Sequence, residues 1–139
     1  MPPPPAASLD TDILSEILKQ KNPLVTQRAA AYLAVHGSFA FSALTRYEVL
    51  RGLKLKQATA QLQRFVVFCQ QSVIFPIADP ILERAADLWV LAKQQGHPCS
   101  DADLFIAATA QEYGRVLVTG NVAHFAWIPR LSLEDWRKP

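Results

Sequence analysis

The stretch Cys99-Ser100-Asp101-Ala102-Asp103-Leu104-Phe105-Ile106-Ala107-Ala108-Thr109-Ala110 places two carboxylates at the entrance of an unbroken run of small and apolar residues. Ser100 is a good N-cap, and Asp101 and Asp103 fall in the first turn, where free amides and the helix dipole favour negative charge. Behind them Leu104, Ile106, Ala107, Ala108, Thr109 and Ala110 make a helix apolar over most of its surface, and alanines let a backbone approach closely. The pattern predicts a buried helix that aims acids outward. Ser100 and Asp103 also stand at Ser-x-x-Asp spacing, a capping box that by itself only starts a helix.

Outward from this helix, extended and helical signals alternate. Residues 6–10 read as a brief strand, and residues 11–20 as a helix with Ile13, Leu14, Ile17 and Leu18 on one face. Asp10 therefore stands at a strand-to-helix switch, where Asp10 or Thr11 can equally be a plain N-cap. Pro23 opens a helix to residue 36 with Ala30, Leu33 and Ala34 inward and Gly37 as its stop. A strand over 38–42 leads into a helix from Thr45 that carries Glu48 and is interrupted by Gly52. An amphipathic helix follows over 58–70, then a strand over 73–77. Asp79 and Pro80 read as the N-cap and first position of a helix to residue 95, with Ala85, Ala86, Leu88 and Trp89 as its apolar side. Beyond the acidic helix, residues 116–119 form an apolar strand that Gly120-Asn121 ends, and 131–133 form a last short strand. This order requires crossovers, which predicts an α/β fold with a mostly parallel sheet covered by helices on both faces.

With 139 residues, half of them hydrophobic and 19% charged, the chain fits one domain with a real core. Residues 1–5 read as a Pro-rich leader, flexible and extended, and 6–139 as the domain. The net charge of +2 neither demands nor excludes a nucleic-acid partner, because a basic patch can sit beside an acidic site. Cys69 and Cys99 form neither a metal-ligand pair nor a disulfide framework, which points to a reducing, cytoplasmic setting. No apolar run reaches the roughly 18 residues a membrane helix needs, and the start lacks the features of a signal peptide.

At the carboxyl edge of such a sheet the order of elements gathers Asp10, Glu48, Asp103 and Asn121. Oxygen ligands of this kind repel one another unless something positive sits among them, and they suit Mg²⁺ or Mn²⁺. His36, His97 and His124 show no zinc spacing. Glu48 has a plain role open to it, as the i+3 partner of Arg51, worth a few tenths of a kcal/mol. Arg46, Arg51, Lys54 and Lys56 make a charged face of the usual solvated kind. Beside a carboxylate cluster the same face supplies phosphate contacts, with Arg51 the best placed, Lys54 within one turn of it, and Lys56 the least well supported.

Leu9-Asp10-Thr11-Asp12-Ile13-Leu14, Thr45-Arg46-Tyr47-Glu48-Val49 and Asp103-Leu104-Phe105-Ile106-Ala107-Ala108 resemble, in order and spacing, the three acidic motifs of the PIN-domain ribonucleases, most closely the VapC-type toxins of toxin-antitoxin pairs. Leu117-Val118-Thr119-Gly120-Asn121, with His124-Phe125 and Ile128-Pro129, resembles the family's closing segment. The resemblance spans nearly the whole chain. It implies a three-layer α/β/α fold, a homodimer, a VapB-like antitoxin partner and metal-dependent cleavage of RNA, transfer RNA among the candidate substrates. It assigns Asp10, Glu48 and Asp103 as metal-binding acids. Asn121 matches a position often acidic in the family, and an amide there ligates or orients water without adding charge. Asp101 is not the family's usual acid, but its place one short step away makes it a candidate auxiliary ligand, and Thr11 and Thr119 can hold carboxylates or water by hydrogen bonds.

The chief departure is Pro5-Ala6-Ala7-Ser8, where the family has an apolar first strand. Proline, alanine and serine are poor strand formers, which predicts a first strand that is short or badly anchored. Two other classes stay open. One is a catalytically silent PIN-fold interaction module whose acids are caps; the other is a haloacid-dehalogenase-type phosphatase suggested by Asp10-Thr11-Asp12, although Leu14 occupies the place of that motif's Thr or Val.

Overall fold

The computed structural model describes residues 2–139. Five short strands, β1 (Ala7–Leu9), β2 (Ala40–Ser42), β3 (Val73–Phe75), β4 (Val116–Val118) and β5 (Leu133–Glu134), alternate with seven helices. These are α1 (Thr11–Lys19), α2 (Pro23–His36), α3 (Ala43–Leu55), α4 (Thr59–Gln70), α5 (Asp79–Gln95), α6 (Asp101–Glu112) and α7 (Val122–Phe125). Every ladder is parallel: β1 pairs with β4, β4 with β5, and β2 with β3. With β2 lying alongside β1, the spatial order is β3-β2-β1-β4-β5.

The pleat of β4 shows the layers. Val116 and Val118 pack into a core shared with α1 to α4, while Leu117, between them, packs into a second core built on α5, α6 and α7. Successive strand residues point to opposite faces, so the sheet is covered on both sides, as expected of the α/β/α arrangement. α6 is buried from Ile106 to Ala110, which lets it pack closely on α5 and the sheet.

β1 is short, as its composition predicts, but it is firmly held. Asp10 N–H donates to the Val118 carbonyl and Val116 N–H to the Ala6 carbonyl. The buried Tyr32 hydroxyl accepts from Ala7 N–H at 3.0 Å, and Arg115 Nη1 donates to the Ala7 carbonyl at 3.1 Å. Polar side chains from α2 and the start of β4 thus do what strand propensity does not. Ahead of β1 the leader is tied down too, because the His36 Nε2–H group meets the Pro4 carbonyl at 2.8 Å.

The inward faces of two helices differ from expectation. On α2 the buried residues are Val25, Ala29 and Tyr32, while Ala30, Leu33 and Ala34 are exposed; the hydroxyl of Tyr32 is drawn inward by β1. On α5 Ile81, Ala85, Leu88 and Ala92 are buried, while Ala86 and Trp89 face outward. α5 is capped by Ala78, so Asp79 and Pro80 are already inside its first turn. α3 begins at Ala43 behind its cap Ser42 and runs through Gly52. A mid-helix glycine costs about 1 kcal/mol, which the packing of Leu50 and Leu53 on the core outweighs. β5 forms at Leu133–Glu134, later than the expected 131–133.

Candidate active site

Asp10 follows β1 directly, Glu48 lies in the second turn of α3, Asp103 sits in the first turn of α6, and Thr119 follows β4. Parallel strands bring these ends to one edge of the sheet, the usual place for a site in such folds.

Asp10 is the centre of the cluster and is 7% exposed. Its Oδ1 accepts from Thr11 N–H at 2.7 Å and its Oδ2 from the Thr119 hydroxyl at 2.8 Å. Burial pushes its carboxyl up to about 6, with the charges of Asp12 and Asp103 adding to the rise and the Thr119 hydrogen bond opposing it. Next to it, the Thr11 hydroxyl donates to Glu48 Oε1 at 2.5 Å, which ties α3 to the start of α1. Arg51 Nη2 approaches Glu48 Oε2 at 3.4 Å and lies 5.1 Å from the Tyr47 ring centre. Ser100 caps α6 through Asp103 N–H, leaving the Asp103 carboxylate free to meet His124 Nε2 at 2.9 Å.

The remaining predicted residues stand farther out. Asp101 is exposed at the first position of α6, and Asn121 is exposed with its N–H donating to the Thr119 hydroxyl oxygen. Arg46 turns away from Glu48 and lines a hollow with Leu50, Phe65 and Cys69 against α4. Lys54 and Lys56 are exposed at the end of α3.

Three further residues belong to this edge. Asp12 Oδ2 accepts from Gly120 N–H at 2.9 Å, joining α1 to the loop after β4. His124 reaches the site from α7, and Arg137 donates to the Gly120 carbonyl from the C-terminal segment. Asp12 is hinted at by its place in Asp10-Thr11-Asp12. His124 is flagged only within the closing motif and Arg137 by nothing local, because only the docking of α7 and of the chain end around buried Trp136 brings them here.

Around Asp10 the side-chain donors are oxygens, and Asp10 itself is a buried carboxylate on which the charges of Asp12 and Asp103 press. That set fits a hard divalent cation, whose charge would offset both the burial and the repulsion.

Fold and site together define an α/β domain organised around acids at the carboxyl edge of a parallel sheet. A model of the family described as "PIN domain" matches residues 7–127. The chain belongs to the PIN domain family. It is similar to Ribonuclease VapC1 of Haemophilus influenzae, with 29% identity over 133 residues covering 94% of this chain and 97% of that one. Ribonuclease VapC2 of Rickettsia felis is 28% identical over 131 residues, with the same coverage of both chains. Among solved structures, VapBC-1 from nontypeable Haemophilus influenzae superposes with a TM-score of 0.83 at 25% identity, covering 95% of this chain and 98% of that one. The family match sets aside the phosphatase alternative. Leu14, at the position that reading needed for Thr or Val, is fully buried in the core under α1.

Proposed function

We propose that the chain is a divalent-metal-dependent endoribonuclease, the toxin of a toxin-antitoxin pair, with Asp10, Glu48 and Asp103 holding Mg²⁺ or Mn²⁺. The observation that carries the reading is the buried Asp10 carboxylate, pushed up to about 6 among neighbouring acids at the sheet edge of a PIN domain. When bound, the cation supplies Lewis acidity, making a water nucleophilic at neutral pH and offsetting charge that builds on the attacked phosphate.

The chain's own residues do the rest. Thr119 and Thr11 fix the Asp10 and Glu48 carboxylates by hydrogen bonds, so that little reorganisation is needed when substrate arrives. Asn121, exposed beside Thr119, orients water or a phosphate oxygen without adding negative charge, and Asp101 acts from the rim as an auxiliary acid. Arg51 exchanges its weak contact with Glu48 for a phosphate of the RNA, with Lys54 one turn along, whereas Arg46, turned toward α4, lies away from this face. Hydrolysis by water leaves 5′-phosphate and 3′-hydroxyl ends and needs no 2′-hydroxyl attack. Structured RNA, transfer RNA included, is the proposed substrate class.

A VapB-like antitoxin with a basic side chain reaching the acidic edge is the proposed silencing partner, and the active form is a homodimer in the cytoplasm. No helix among the described residues is long and apolar enough to cross a membrane. Residues 6–139 act as one domain behind the leader. Two experiments test the reading. A mixed RNA pool is cleaved with Mg²⁺ or Mn²⁺ and spared in EDTA, and co-expression of the neighbouring small protein relieves growth inhibition and yields a complex. Cleavage that persists in EDTA, or co-expression that does neither, overturns the corresponding part.

A further inference from the structure

Asp103 faces two ways. On one side are the oxygen ligands around Asp10; on the other, its carboxylate meets groups of different chemistry. Cys99 in the turn before α6, Asp103 in its first turn and His124 on α7 bring a sulfur, an oxygen and a nitrogen within 4.8 Å of one another. The imidazole Nε2 already lies 2.9 Å from Asp103 Oδ2. We propose that Cys99, Asp103 and His124 form a binding site for Zn²⁺ or a similar borderline-soft divalent cation, separate in chemistry from the oxygen site with which it shares Asp103.

The donor set is what distinguishes the two sites. Sulfur and imidazole nitrogen are poor ligands for Mg²⁺ and good ones for Zn²⁺, which takes Cys, His and carboxylate together in tetrahedral geometry. Ligand atoms of such a tetrahedron stand about 3.3–3.8 Å apart, given metal–ligand bonds of roughly 2.0–2.3 Å. A spread of up to 4.8 Å therefore closes with about 1 Å of side-chain movement. His124 and Asp103, each partly exposed, supply that movement. The side chains of His124 and Asp103 are 29% and 26% exposed, which also leaves a path for a cation to enter. Cys99 is held in place by packing against the core beneath α5 and α6. Three protein ligands leave the fourth position to water, as in open zinc sites.

On binding, the Cys99 sulfur–hydrogen bond breaks, the proton passes to solvent and a sulfur–metal bond forms; no electron changes hands. Occupancy withdraws Asp103 from the oxygen site, so Zn²⁺ inhibits cleavage of RNA. That consequence rests on the proposed ribonuclease function, whereas the binding itself does not.

The test uses Co²⁺ as the probe, since thiolate ligation gives it a charge-transfer band in the near ultraviolet. The purified full chain is expected to develop the band, saturate at one equivalent and lose it to added Zn²⁺. Cys99→Ser abolishes the band, Cys69→Ser retains it, and His124→Gln weakens Co²⁺ binding by about tenfold or more. In Mg²⁺, Cys99→Ser cleaves RNA as the parent does but resists Zn²⁺. Absence of the band, its survival in Cys99→Ser or its loss in Cys69→Ser overturns the site. Equal Zn²⁺ sensitivity of Cys99→Ser and the parent overturns the inhibition. A correct band in a protein that cuts no RNA upholds the site and overturns the ribonuclease reading instead.

Discussion

Asp10→Asn is expected to make the metal-free protein more stable at pH 7.5 while destroying its activity. The Asp10 carboxyl rises from an ordinary 3.8 to about 6 because burial penalises its charge. At about 1.36 kcal/mol for each pH unit, keeping it ionised in the fold costs roughly 3 kcal/mol. Asparagine removes that cost. In exchange one of the two donors, the Thr11 N–H or the Thr119 hydroxyl, faces an amide nitrogen in place of an acceptor oxygen, a loss of about 1–2 kcal/mol. The net gain is about 1–2 kcal/mol, which in urea raises the unfolding midpoint by roughly 0.5–1 M. The pH dependence fixes the sign. A carboxyl with a raised folded value binds its proton more tightly in the native state, so this stabilisation is fully present below 3.8 and is lost as pH rises through about 6. The advantage of Asp10→Asn over the parent, measured by urea unfolding in EDTA, is therefore greatest above pH 7 and fades between pH 6 and 4. Added Mg²⁺ stabilises the parent and not the variant. A variant no more stable than the parent at pH 7.5, or an advantage that does not shrink on acidification, refutes the reasoning.

Asp103→Asn loses RNA cleavage by two orders of magnitude or more with its far-ultraviolet circular dichroism unchanged, while Asp101→Asn, exposed at the rim, loses less than tenfold; the reverse ranking in an initial-rate assay means the wrong acid of α6 has been assigned. Arg51→Ala lowers the slope of log binding constant against log salt by about 1 when RNA binding is measured in Ca²⁺, and an unchanged slope returns Arg51 to its role as surface partner of Glu48. Tyr32→Phe leaves the buried Ala7 N–H without its acceptor and costs about 1–3 kcal/mol in urea unfolding, with no change in the divalent requirement of cleavage.

The order of strands and helices is legible because its punctuation is local. Pro23 opens α2, Gly37 and Gly96 end α2 and α5 in the left-handed region, and Ser100 caps α6. Asp10, Glu48 and Asp103 are legible for a related reason: Asp10 stands just past a strand and the other two near the start of a helix, and parallel topology carries such points to one edge. What local pattern cannot show is which polar group finds a partner across the fold. Tyr32 is buried because its hydroxyl serves β1, so the inward face of α2 follows a hydrogen bond and not the small residues beside it. The firmness of β1 is hidden likewise, since Arg115 and Tyr32 supply it from elsewhere in the chain. Arg46 illustrates the limit on a helix surface. Two residues from Glu48, it turns some 200° around α3 and meets Cys69 on α4. His124 is legible only as part of a family motif, because its meeting with Asp103 depends on how α7 docks.

The central claim is tested most directly by incubating a mixed RNA pool with the purified chain in Mg²⁺, in Mn²⁺ and in EDTA, with Asp103→Asn alongside, and mapping the ends produced. The expected result is cleavage in either cation, none in EDTA or with the variant, and fragments carrying 5′-phosphate and 3′-hydroxyl ends. Cleavage that survives EDTA, survives loss of the Asp103 carboxylate, or leaves cyclic phosphate ends contradicts it.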